Sequence, residues 1–101
     1  MSFKTPSNFV PLSEEHLDIT GASTGLQSID NESTHALISF SGDDARIRLL
    51  GEAPTASIGA LMTEGGFVLL ETLEEQRNFK VILSTDSVSA SIFIIYGGIR
   101  L

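Results

Sequence analysis

Glu14, Glu15, His16 and Asp18 place three carboxylates and an imidazole within five residues, side-chain types that bind metal or move protons. No second, distant ligand cluster accompanies them, so the group reads as a solvated charged turn. Gly42-Asp43-Asp44 reads in the same way, as a turn rather than a calcium loop, and His35 as a strand residue rather than a base. Serines are plentiful, yet nothing resembles a nucleophile elbow, and phosphate-cradling, dinucleotide, HExxH and EF-hand patterns are all missing. The sequence therefore assigns no catalytic, cofactor or metal residues, and a non-enzyme is expected. What remains is recognition chemistry: Arg46 and Arg48, two apart on one strand face, can clamp a partner's carboxylate or pair with the chain's own acids.

The elements that must position these residues are strands. Thr34 to Ser41, Ala45 to Leu50, Ser57 to Thr63, Gly66 to Thr72, Phe79 to Leu83 and Val88 to Tyr96 are read as strands, with weaker ones at Leu17–Thr20 and Leu26–Ile29. Glu64-Gly65-Gly66 predicts a tight hairpin, and Leu73 to Asn78 is a short helical turn or loop. Ser13 is positioned to cap a helical turn through His16. Short strands, closely spaced turns and no long helix predict an all-β chain, an antiparallel β-sandwich or jelly roll over residues 17–101. Residues 1–16, with Pro6, Pro11 and irregular apolar positions, are expected to form an extended N-terminal arm whose Phe3, Phe9 and Val10 lie against a partner.

In the last strand Val88, Ala90, Ile92, Ile94 and Tyr96 point one way, and the other face changes from Ser89 and Ser91 to Phe93 and Ile95. Something must cover Phe93 and Ile95: either the chain's own loops or another subunit.

At 101 residues the chain makes one domain, small enough that association would add useful stability, so a homo-oligomer is expected. Thirteen acids against six bases, a net charge of −7, argue against nucleic acid and anionic membrane as partners. Twelve of those acids lie between residues 14 and 75, where Arg46 and Arg48 are the only bases, so the charge is uneven and suits a neighbour of opposite local sign. Without Cys there are no disulfides or thiolate sites. Met-Ser-Phe-Lys-Thr-Pro lacks the apolar stretch of a signal peptide and Ile92 to Tyr96 is too short to span a bilayer, so synthesis in a cytoplasm is expected.

Ala45-Arg46-Ile47-Arg48, the Pro54-Thr55-Ala56-Ser57-Ile58-Gly59 loop, Gly65-Gly66, Asn78 to Ile82 and Ser89 to Tyr96 together resemble small virion structural proteins of tailed bacteriophages. The resemblance covers residues 34–96 by order and spacing, and departs at Leu49-Leu50-Gly51-Glu52, where a more polar turn belongs. It implies a capsid decoration or cement protein: a β-rich subunit, often a trimer, bound outside the shell to the major capsid protein or another virion subunit. It brings no catalytic residue. On this reading Phe3, Phe9, Val10, Arg46, Arg48, Phe93 and Ile95 are the contact residues. The alternative is a tail or neck fitting or a host-glycan binding module, which the lack of Trp and the single Tyr disfavour.

Overall fold

A computed structural model describes residues 8–99. Seven strands and one short helix follow in the order β1 (Phe9–Ile19), β2 (His35–Gly42), β3 (Ala45–Arg48), β4 (Ala60–Met62), β5 (Phe67–Leu70), α1 (Leu73–Asn78), β6 (Lys80–Leu83) and β7 (Ala90–Ile99). They form two antiparallel sheets, β1-β7-β2-β5 and β4-β3-β6. The all-β expectation is met. A jelly roll has eight strands, one more than the described residues contain.

Alternation builds the core. Ile38, Phe40, Ile92, Ile94 and Tyr96 on the four-stranded sheet share one buried cluster with Ala45, Ile47 and Val81 on the three-stranded sheet. Leu26 and Ile29 pack against that cluster without forming the expected strand; in their segment only Thr24 pairs, bridging Val81. The six-residue helix has its own start signal: the Thr72 hydroxyl accepts from Glu75 N–H at 3.0 Å, and the Glu75 carboxylate reaches back to Glu71 N–H at 2.6 Å.

Three further expectations need correction. The arm boundary at residue 16 falls inside β1, whose residues 9–19 pair continuously with β7 apart from a register slip between Pro11 and Ser13. Pro11 is tolerated because β1 is an edge strand and the chain bulges there. The capped turn at Ser13–His16 is instead extended: Glu14, His16 and Asp18 face outward while Glu15, Leu17 and Ile19 face the core side, a period of two. Finally, β4 and β5 make no hairpin, because they belong to different sheets. Gly65 N–H donates to Phe40 O and Phe40 N–H to Gly66 O, each at 2.9 Å, so the glycines carry the chain across to β2. Gly65 adopts φ +85°, a left-handed angle that suits glycine.

Candidate interaction surface

The outer face of the four-stranded sheet is organised in rows by cross-strand register. One row runs His16, Phe93, Ser39, Phe67; the next runs Glu14, Ile95, Leu37, Leu69. Phe67 and Phe93 are 53% and 38% exposed, two large rings flanking Ser39, whereas Leu37 in the neighbouring row is fully buried. Ile95 and Leu69 are half-buried. Toward β1 the two apolar rows end in Glu14 and His16, and the next row, whose Ser41 and Ser91 hydroxyls bond at 2.9 Å, ends in Asp18. The face thus offers apolar area with an acidic border.

The sequence-derived contact residues do not form one site. Phe93 and Ile95 lie on this face, Phe93 exposed. Phe9 is buried in its own sheet, its ring crowding Gly97, so it is a packing residue of the domain. Val10 is half-buried and helps line a shallow hollow of about 330 Å³ with Leu12, Gly98 and Ile99. Phe3 lies outside the described residues. Arg46 and Arg48 stand on the other sheet. Arg46 donates to Gly59 O at 3.0 Å, and Arg48 meets Glu52 at 3.2 Å, so of the two readings Arg48 follows the one in which it pairs with an acid of its own chain.

Sequence reading missed Phe67. Its strand was visible, but its place beside Ser39 and Phe93 depends on pairing between distant segments, which leaves no local signal. Leu12, 52% exposed, was also missed; it sits at the slip, where it has no partner across the ladder.

The acids elsewhere have structural uses. Asp43 Oδ2 accepts from Val88 N–H at 2.8 Å and Ser89 N–H at 3.0 Å, and these bonds, Ser89's foremost, hold its carboxyl below the ordinary range. Glu64 accepts from Gly42 N–H at 3.1 Å. Asp43, Asp44, Glu64 and Asp86 border an open cleft of about 480 Å³, but among the described residues no three His, Cys, Asp or Glu side chains are grouped to hold a metal. Behind β1, Glu15 accepts from the Tyr96 hydroxyl at 2.6 Å and from the backbone of Gln27 and Ser28 at 3.0 Å each. Burial, with Glu15 beside it, pushes the Tyr96 phenol well above its usual value.

No family model, no curated protein and no solved structure matches this chain. No helix among the described residues is long and apolar enough to cross a membrane.

Proposed function

We propose that this chain is a non-enzymatic structural subunit of a tailed-phage particle, a capsid decoration or cement subunit that bridges neighbouring shell subunits. The observation behind its docking role is the pair of exposed rings, Phe67 and Phe93, on a sheet face with an acidic border. Such a face suits a neighbour that supplies an apolar contact ringed by positive charge. The phage assignment rests on the resemblance across residues 34–96. Under this reading the chain folds as a β-sandwich, works as a homo-oligomer with a trimer favoured, and sits on the virion exterior, where an acidic surface does not compete for the packaged genome.

The test is mass spectrometry of virus particles purified from a culture carrying the gene in its native genome, wild type against a Phe67→Ser, Phe93→Ser double variant. The reading expects many copies per particle for the wild type and loss of the double variant from particles while the free protein stays folded. A chain found only in the unassembled fraction overturns it. Two exposed rings could also stack on sugars, which is the one observation favouring the host-glycan module. Glycan-array binding abolished by the same two substitutions would decide for that module.

A further inference from the structure

Four strand edges bound the two sheets, and they are treated differently. The outer edge of β6 is taken up by the segment before β2: Thr24 and Val81 exchange bonds of 3.0 and 2.8 Å, and Leu83 N–H donates to Thr20 O at 3.0 Å. The strands at two other edges, β4 and β5, are three and four residues long. β1 has eleven residues, of which the seven from Ser13 to Ile19, beyond Pro11 and the slip, run in unbroken register, and among the described residues no strand or loop backbone pairs with its outer edge. An edge of that length offers a row of unused donors and acceptors to any extended chain.

Its side chains narrow the choice of occupant. Glu14, His16 and Asp18 alternate along the exposed face of β1, while the inward Ser13 and Glu15 are tied to Asp30, Gln27 and Ser28. A second copy is disfavoured: antiparallel pairing of two β1 edges about His16 would set Glu14 against Asp18 twice, in molecules that each carry −7. A strand with Lys or Arg at every second position places a base opposite each acid on the same face. We propose that the outer edge of β1 accepts an extended segment of a partner protein with basic residues at alternate positions, which joins the sheet as a fifth strand. Main-chain bonds supply affinity and the acid row supplies selection. The acid row is shared with the border of the Phe67 and Phe93 face, but strand addition needs neither ring, so this proposal can fail or hold independently of their role.

The probe is a soluble eight-residue peptide of alternating Lys and Thr, added to the isotopically labelled full chain. Expected are slowed amide exchange confined to β1, affinity that falls with salt, no binding by a peptide N-methylated at alternate amides, and about tenfold weaker binding by a Glu14→Lys, Asp18→Lys variant. Both substituted positions are exposed, and an unchanged wild-type exchange pattern in β2 and β7 verifies that the variant is folded. Absence of binding, protection elsewhere, or equal binding of the N-methylated peptide overturns the proposal. So does a wild type whose outward β1 amides are already protected without peptide, with that protection lost on dilution as light scattering shows the chain dissociating.

Discussion

The Tyr96 hydroxyl donates to Glu15 Oε1 at 2.6 Å, fastening the central strand β7 to the edge strand β1 from the core side. The same carboxylate holds the backbone of Gln27 and Ser28, so one acid joins three separate segments.

The chain contains one tyrosine, so phenolate absorbance reports Tyr96 alone. Its pKa is raised above the ordinary 10.0, which makes its contribution to stability complete below that pH and progressively lost as pH rises toward the folded-state value. Titration with base should show no phenolate until the protein unfolds, with both changes coinciding. Tyr96→Phe should remove the pH dependence while costing about 1–2 kcal/mol in denaturant unfolding at neutral pH. A phenolate signal near the ordinary value in folded protein would contradict this.

Asp43 gives the opposite limb. Its carboxyl is held low by the Ser89 and Val88 amides, so its stabilisation is present above the unfolded value of 3.8 and fades as pH falls through the lower folded value. Asp43→Asn should lower the melting temperature at neutral pH, and the gap from wild type should close in acid. A constant gap down to strongly acidic pH would mean that the loss is one of shape rather than charge.

At Gly97 an added methyl would meet the Val10 carbonyl oxygen and, at 2.8 Å, the Phe9 ring. Gly97→Ala should cost about 1–3 kcal/mol by urea unfolding, through overpacking. Trimming the ring with Phe9→Leu should not restore the loss, since the backbone oxygen still blocks the site. Full rescue would show that the ring alone is the obstacle.

Gln76 is fully buried; its Oε1 lies 3.3 Å from the Ser33 hydroxyl and its Nε2 has no hydrogen-bond partner among the described residues. Ser33 also has the closer Asp30 carbonyl at 2.6 Å, so it does not depend on Gln76. Gln76→Met, similar in shape, should be neutral or stabilise by up to about 1 kcal/mol, while Gln76→Ala should destabilise by about 1–3 kcal/mol through the cavity it leaves. Calorimetry of the two variants separates polarity from volume.

What could be read in the sequence was what a strand's period of two encodes locally. Ala90, Ile92, Ile94 and Tyr96 alternate onto the core face of β7 as their spacing implies, and Ala45 and Ile47 do so on β3, whereas Val88, set on the same face by its spacing, precedes β7 and is 84% exposed. Glu14, His16 and Asp18 have the same period, but Ser13 followed by two acids is also a helix start, and only pairing with β7 decides between them. Gly65-Gly66 has the composition of a hairpin; its bonds to Phe40 send the chain to the other sheet instead. The exposed face was therefore half legible: Phe93 and Ile95 could be named from their own strand, whereas Phe67 beside them required the register of β2 with β5.

The ladder between the first and last strands also has a mechanical meaning. Phe9 lies opposite Ile99, so the described chain enters and leaves at the same end of two antiparallel neighbours. A pull applied through those two points would load the ladder one rung at a time, beginning at Phe9 and Ile99, like a zipper rather than a shear joint. The domain is thus poorly built as a tether strung between its ends.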